Sequence, residues 1–360
     1  MKTTFGAREI SAVVFIAMVN RLAWVEPQML LDEPGQSAWM LPLVALPLGL
    51  IAFWCIHALC RRYGNAHQCC VSILGRGGGA AALIAITAWM LCLFSIALAR
   101  VINVTQAYFF PLTDVSAVAA LYVAGIVLCA FAGAAGTVRT CRMIVWIPVV
   151  ALIVLLLCSM PQMDFTRLKP IWGEGPGVVL RSGVAFASVC IGIYFYWLWN
   201  DHTTSERPVA RRVVRALVLG SVVLSVALSC MSAAMGKAGD GDAVSLLYNM
   251  AANISLGRFI QRLGPIFFFC WCLSSVAMGG AYLCGTGDAL GQCLGLTDKR
   301  PVYAGLGAVV LGLCIALNRQ KGMDAFATVA YLSAAVMVLI PALLWGIDVC
   351  KRRLGHAHDR

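Results

Sequence analysis

An apolar run with a cation at its centre, Ile10–Leu31, places the strongest constraint on how this chain can fold. As a helix the run would span about 33 Å, enough to cross a ~30 Å hydrocarbon layer. Asn20 and Arg21 lie at its midpoint, and Glu26 and Pro27 follow one and a half turns later. A charge at that depth costs at least ~2.5 kcal/mol, so it faces protein or water and marks a functional site. Because Pro27 also removes a backbone donor, the run predicts a discontinuous transmembrane helix.

Nine further apolar runs follow, and the composition agrees with a membrane location. Hydrophobic residues make up 61% of the sequence and charged residues 12%, with a mean hydropathy of +0.85, whereas a soluble domain carries roughly 25% charged residues. We therefore predict an all-α integral membrane protein with ten transmembrane helices in a lipid bilayer. Spans two to ten are predicted at Trp39–Cys60, Ala80–Ala99, Val115–Ala132, Met143–Ser159, Pro176–Trp199, Val213–Met235, Phe259–Leu283, Val302–Ala316 and Ala325–Val349.

The net charge is +11, but the basic residues form no patch with interleaved aromatics, so we expect no nucleic-acid partner. They lie between the apolar runs, where they encode the orientation of the chain in the membrane. With the N-terminus inside, the cytoplasmic segments hold 17 Lys and Arg residues and the outer segments hold 8. The positive-inside rule then predicts that both termini are cytoplasmic, including a tail over residues 350–360. The N-terminal run is too long for a signal-peptide core and lacks a cleavage pattern, so we expect it to be retained.

The ten spans divide into two sets of five, and each set opens with an irregular helix. In the second set this helix is Pro176–Trp199, which has small residues near its centre and aromatic residues near its end. Paired interrupted helices are typical of inverted repeats with a binding site at the membrane midplane, although small residues also allow close helix packing. We predict a single transmembrane domain over residues 1–360, with inverted five-helix repeats at 10–159 and 176–349 and discontinuous first and sixth helices.

The cysteine and histidine patterns predict neither a cofactor nor a metal site. The 16 cysteines lie in predicted spans or cytoplasmic segments, they include no CxxC pair, and no HExxH-type spacing links the five histidines. A disulfide framework and a zinc site are therefore not expected. Buried cysteines of this kind behave as small hydrophobic residues.

Several motifs along the chain resemble those of one membrane-protein family. The run GRFIQRLGPIFFF at Gly257–Phe269, followed by Trp271 and Ser274-Ser275, resembles the eighth helix of spore-germination receptor B subunits. Those proteins are ten-helix members of the amino acid–polyamine–organocation transporter superfamily. Further similar motifs, in chain order, are Leu98-Ala99-Arg100, Pro111-Leu112-Thr113, Leu168-Lys169-Pro170 and Asp298-Lys299-Arg300-Pro301.

The resemblance implies two inverted five-helix repeats and a place in a germinant receptor of the spore inner membrane, beside an A subunit and a lipoprotein C subunit. It also implies that the chain binds a small germinant, often an amino acid. The sequence departs from the family where relatives carry an acidic residue, since Gly264 follows the Arg of the eighth helix and Val101 or Ile102 follows Arg100. Glu26 is then the only acidic residue well inside a predicted span, which is a thin basis for proton coupling. A sensor needs only a conformational preference of a few kcal/mol.

Arg21 is the strongest candidate for a ligand contact, and more than one role stays open for it. Its guanidinium can hold the carboxylate of an amino acid in a bidentate pair, or it can pair with Glu26 as a structural or gating bridge. In a continuous helix these two side chains would point about 140° apart, so direct pairing needs a break near Asn20 or Pro27. Snorkelling towards the interface, or a water-filled vestibule, is a third interpretation.

Around Arg21, the fold that the resemblance implies places small polar and aromatic residues from three other helices. Such a lining suits a mostly apolar site with a few orienting contacts, although core packing also explains each residue taken singly. The predicted ligand-binding residues are Asn20, Arg21, Glu26, Met90, Ser95, Phe186, Ser188, Trp271, Ser274 and Ser275.

Three function classes follow from these observations. The first is a nutrient sensor that binds a small germinant at the midplane and signals by conformational change as the B subunit of a receptor. The second is a proton- or sodium-coupled amino-acid permease of the bacterial cell membrane. The third, a membrane-embedded enzyme, would need clustered Asp, His or metal ligands at span ends. The sequence shows no such cluster, so we expect no catalytic residues.

Overall fold

The computed structural model of the chain describes residues 4–22, 34–203, 206–235, 246–254, 264–319 and 325–358. Nearly all of these residues lie in α-helices or short 3₁₀ turns. The α-helices are α1 (Ala7–Val19), α2 (Leu41–Tyr63), α3 (Ala66–Phe109), α4 (Val115–Phe131), α5 (Gly133–Ile144), α6 (Trp146–Ser159), α7 (Pro176–Phe186), α8 (Ile193–Leu198), α9 (Glu206–Met235), α10 (Leu246–Ala252), α11 (Gly264–Cys293), α12 (Arg300–Arg319) and α13 (Ala325–His358).

The predicted all-α membrane architecture is confirmed. Within the described residues, eight stretches of helix are long and apolar enough to cross a membrane, and α4 adds a shorter apolar helix. Together with α1 these account for the ten predicted spans, with α5 and α6 forming the fifth and α7 and α8 forming the sixth. The part of the first run that contains Glu26 and Pro27 lies outside the described residues.

Both helices that open a repeat are discontinuous, as predicted. α1 ends at Val19 and passes into a 3₁₀ turn over Asn20–Leu22. α7 ends at Phe186, and a 3₁₀ segment over Ala187–Gly192 separates it from α8. Because a 3₁₀ turn departs from the α-helical hydrogen-bonding pattern, each break presents backbone and side-chain groups inside the bundle.

Small residues let the second break approach its neighbours closely. A Cβ atom on Gly192 would lie 3.0 Å from both Cα and O of Val14 in α1. A Cβ atom on Gly49 of α2 would lie 2.6 Å from Sγ of Cys190. Close backbone approach is what small residues provide between membrane helices. The small residues of the sixth span therefore serve packing as well as the break.

The aromatic residues at the end of the sixth span lie in the core. Tyr194, Phe195, Tyr196, Trp197 and Trp199 are all fully buried. α8, which carries four of them, packs between α1 and α11. This packing places the break of the sixth span at the centre of the bundle, next to the break of the first.

Two helices extend further than the sequence predicts. The predicted eighth span ends at Leu283, but α11 continues to Cys293. Its last turns contain Thr286 and Asp288, whose polarity lowers the local hydropathy although both side chains are buried. α3 likewise continues beyond Ala99 to Phe109, whereas towards its start a kink at Gly75, where φ is 81°, interrupts the helix. The span boundaries were wrong because hydropathy reports the apolar part of a helix rather than its hydrogen-bonded length.

We expect Gly192→Ala to destabilise the folded chain, because the added methyl group would press against the backbone of Val14. Overpacking of this kind costs roughly 1–3 kcal/mol. Gly312→Ala is the matched control, since a Cβ atom at that exposed helical position meets nothing within 4 Å. Thermal unfolding in detergent should show a lowered midpoint for Gly192→Ala alone. Equal midpoints for the two variants would contradict the close approach.

Candidate ligand site at the helix breaks

The two helix breaks meet through a buried arginine. Arg21 is only 4% exposed, and its Nη2 donates a hydrogen bond to Oγ of Ser188 at 3.0 Å. Ser188 lies in the 3₁₀ segment between α7 and α8. We call the region around this contact, where Asn20–Leu22 and Ala187–Gly192 come together, the break site.

α11 joins the break site through an asparagine–serine pair. Nδ2 of Asn20 donates to the carbonyl oxygen of Ser274 at 3.2 Å, and Oγ of Ser274 donates to Oδ1 of Asn20. Both side chains are fully buried. In the membrane interior an unsatisfied polar group costs several kcal/mol, so such reciprocal partners are required. The pair fixes the first break against the eighth span.

The helix geometry at the break site favours a positive charge. α1 and α7 both end there, at Val19 and Phe186. The last carbonyl groups of a helix lack intrahelical partners and carry the negative end of its dipole. Arg21 follows the last turn of α1 directly, where a cation gains most from that dipole. These groups offset part of the cost of burying the guanidinium.

Other predicted residues lie within about one helical turn of these contacts. Phe186 ends α7, and Trp271 and Ser275 lie beside Ser274 on α11, and all are buried. The Trp271 ring packs against Phe267 with 5.1 Å between ring centroids. Its buried Nε1 has no hydrogen-bond partner among the described residues. Because an indole N–H can only donate, this group can serve an acceptor on a bound molecule.

The contacts of Ser95 and Met90 in α3 are with residues outside the break site. Oγ of Ser95 donates to the carbonyl of Leu91 in its own helix at 2.8 Å, and its carbonyl accepts from Sγ of Cys314 in α12 at 3.5 Å. Met90 is fully buried in the apolar core. Core packing explains both residues. Glu26, the last of the predicted site residues, lies outside the described part of the chain.

A buried carboxylate that the sequence analysis placed outside the spans lies near the end of α11. Asp288 accepts hydrogen bonds from Nε1 of Trp199 at 3.0 Å, from Nζ of Lys299 at 2.8 Å and from the hydroxyl of Tyr303 at 2.7 Å. It ties the end of the sixth span to α11 and α12. The sequence analysis missed this cluster because the predicted eighth span ended before it. The sequence signal that could have revealed this cluster was the basic pair Lys299-Arg300, just before the predicted ninth span.

The end of the bundle that holds the N-terminus is closed by packed side chains. The backbone N–H of Phe5 donates to the carbonyl of His202 at 3.0 Å, and the two rings stack. At the same end, Asp348 of α13 is buried and accepts hydrogen bonds from Arg62 and Tyr63 of α2. These contacts join the start of the chain to the segment after the sixth span, and α2 to α13, at that end of the bundle.

An ion pair holds the start of α1 at this same end. Glu9 accepts a hydrogen bond from Arg142 near the end of α5. Partial burial acts to raise the pKa of Glu9, but backbone hydrogen bonds and the Arg142 guanidinium outweigh it, so the pKa lies below its ordinary value of 4.5. The pair therefore contributes stability above the ordinary pKa, and that contribution is lost as the pH falls through the lowered one.

Comparison with models of known families identifies the family of the chain. The model of the spore permease family, described as spore germination protein, matches residues 7–322. The chain belongs to this family. The resemblance drawn from the sequence motifs is thereby confirmed. A comparison of this chain with curated proteins returned no significant match.

Solved transporter structures share the fold of this chain. Mhp1, a nucleobase-cation-symport-1 family transporter, matches with a TM-score of 0.69 at 13% identity, over 94% of this chain and 78% of that chain. MhsT in complex with L-phenylalanine matches with 0.65 at 14% identity, over 93% and 87%. A manganese transporter from Eremococcus coleocola matches with 0.54 at 13% identity, over 94% and 77%. At these identities the likeness shows the fold alone, with its two inverted repeats.

A double-mutant cycle should detect the pair that joins the first break to α11. Asn20→Ala removes both hydrogen bonds of the pair, whereas Ser274→Ala removes only the one that its hydroxyl donates to Oδ1 of Asn20. For that shared bond we expect a coupling free energy of roughly 0.5–1.5 kcal/mol in unfolding measurements. The control cycle combines Asn20→Ala with Thr286→Ala, because Thr286 bonds to its own helix at the carbonyl of Tyr282. That control should give a coupling near zero. Equal couplings in both cycles would contradict the proposed contact.

Proposed function

We propose that this spore germination protein is a nutrient sensor, the transmembrane B subunit of a germinant receptor, which binds a small germinant of the amino-acid class at the break site. One observation carries the proposal. The Arg21 guanidinium is buried where the two helix breaks meet and bonds to Ser188 across them. Membership of the spore germination protein family supports the receptor role.

The chemistry of the break site fits a ligand that carries a carboxylate. A guanidinium presents a planar fork of donors that pairs with a carboxylate through two hydrogen bonds. Asn20, Ser274 and Ser275 add neutral polar groups, and Phe186 and Trp271 add buried aromatic surface. A mostly apolar site with a few convergent polar groups is the usual arrangement for a small molecule. The indole N–H of Trp271 adds one more donor for the ligand.

Binding at this place can act as a signal because the break site joins three spans. Arg21 belongs to the first, Ser188 to the sixth and Ser274 to the eighth. A ligand that contacts all three favours the arrangement in which they are close, and a difference of a few kcal/mol shifts a two-state equilibrium. We propose that the A subunit and the lipoprotein C subunit receive this bias. A bridge from Arg21 to Glu26 is compatible with the scheme, since the ligand carboxylate would compete with it.

We further propose that the chain lies in the spore inner membrane with both termini in the cytoplasm. The excess of Lys and Arg in the segments on the side of the N-terminus supports this orientation. The end that Phe5, His202 and Asp348 close would then face the cytoplasm. In this arrangement the germinant reaches the break site from the outer side.

An amino-acid permease is the second candidate, and the transporter fold favours it. In transporters with broken helices, the C-terminal ends of half-helices and unwound carbonyls coordinate the coupling ion. Here a fixed guanidinium already lies at the ends of α1 and α7. A second cation beside it would meet like-charge repulsion. This charge argues for sensing and against sodium-coupled uptake.

If Arg21 binds the carboxylate of the ligand, the Arg21→Gln variant should lose the preference for an amino acid over its carboxamide. Binding of the 20 common amino acids to the purified chain identifies the best ligand, which is then compared with its carboxamide. We expect the parent to prefer the carboxylate by at least about tenfold, because a charged hydrogen bond contributes roughly 1.5–3 kcal/mol. Arg21→Gln should lose this preference.

Arg181→Gln is the matched control for that experiment. Arg181 also lies within a span, but its Nε donates to the hydroxyl of Tyr331 in α13, away from the break site. The control should keep the preference for the carboxylate. If Arg21→Gln weakens the binding of the amino acid and of its carboxamide equally, or weakens neither, Arg21 does not bind the carboxylate.

Uptake measurements separate the sensor from the permease. Proteoliposomes that contain this chain alone should bind the radiolabelled amino acid without accumulating it, under either a proton or a sodium gradient. A known amino-acid symporter in the same lipids serves as the positive control. Gradient-driven accumulation that Arg21→Gln abolishes would overturn the sensor and establish the permease.

A further inference from the structure

A groove of about 580 Å³ lies away from the break site, between α1, α9 and the junction of α5 with α6. Four arginines lie along it, contributed by the first turn of α1, the end of α5 and the first turns of α9. They are Arg8, Arg142, Arg212 and Arg215. All four lie at the end of the bundle that holds the N-terminus.

The charge of the groove is strongly one-sided. Its described lining contains no acidic side chain, and the nearby Glu9 is engaged by Arg142. Arg8 and Arg215 are exposed, and Arg212 is half-buried. Arginines from three helices that line one groove repel each other until an anion lies between them, and phosphate is an anion that the guanidinium fork fits in a bidentate manner.

Beyond the arginines, the walls of the groove become apolar. Phe15, Trp146, Leu219 and Val223 continue it along α1, α6 and α9. From Arg212 to Val223 the helix rises about 16 Å, close to the ~15 Å depth of one leaflet of hydrocarbon. Trp146 is 68% exposed and Leu219 is 58% exposed. The apolar part therefore opens sideways, where acyl chains lie.

We propose that this groove binds an anionic phospholipid, with its phosphate held by Arg8, Arg212 and Arg215 beside the Glu9-paired Arg142, and an acyl chain along the apolar wall. Basic pockets between membrane helices bind anionic headgroups by this chemistry. A free phosphate would use only the basic end and leave the apolar wall empty. An acidic protein segment would likewise bind only at the basic end, because its polar side chains do not pack against an apolar wall about as long as one leaflet is deep. The bound lipid bridges α1 and α9 and holds the half-helix that leads to Arg21.

The test uses the purified full chain in neutral detergent and three ligands: phosphatidylglycerol, phosphatidylcholine and inorganic phosphate. We expect phosphatidylglycerol to bind at least fivefold more tightly than phosphatidylcholine and to raise the thermal midpoint by several degrees. Inorganic phosphate should produce neither effect. In the variant Arg212→Gln/Arg215→Gln the preference for phosphatidylglycerol should fall to within twofold of phosphatidylcholine.

The matched control is Arg139→Gln/Arg211→Gln, which removes the same charge from exposed positions at the same end that do not line the groove. It should keep the preference of the parent. Equal losses in both double variants, an equal effect of inorganic phosphate, or tighter binding of a polyglutamate peptide would each overturn the lipid proposal. If the groove variant does not fold, the single exposed change Arg215→Gln replaces it and should at least halve the preference.

Discussion

The buried guanidinium of Arg21 is the constraint on which the rest of the structure depends. At membrane depth such a charge is costly unless protein groups replace water. Ser188 accepts one hydrogen bond from it, and the C-terminal ends of α1 and α7, where the helix dipoles are negative, lie at the same place. These groups are available only because both helices break where they meet. The breaks in the first and sixth spans and the buried charge therefore require each other.

Buried polar contacts hold the spans around this centre. The Asn20 amide ties the first break to α11, Asp288 ties the end of the sixth span to α11 and α12, and Asp348 ties α13 to α2. A buried carboxylate is costly without partners, and Asp288 and Asp348 each accept hydrogen bonds from more than one donor. Opening the end that these carboxylates close is therefore expensive. Under the proposed function, these contacts would let a fold shared with transporters hold a ligand without passing it across the membrane.

The sequence was sufficient to predict the membrane class, the ten spans and both helix breaks, because a charge inside an apolar run and a cluster of small residues have few structural solutions. The partners of the polar groups were less predictable. Ser95 is a small polar residue of the kind that lines ligand sites. A serine in a helix can also donate to a carbonyl of its own preceding turn, and only the packed structure shows that Ser95 does so. Asp288 was missed because helices continue past the apolar residues that reveal them.

The position of a bound amino acid relative to Arg21 is the measurement that tests the account most directly. A cryo-electron-microscopy structure of the chain with the amino acid that binds best would supply it. The account predicts both carboxylate oxygens within about 2.7–2.9 Å of the guanidinium nitrogens, with the first and sixth spans broken on either side. A ligand bound elsewhere, or an Arg21 side chain turned outward to the lipid headgroups beside an unbroken helix, would contradict it.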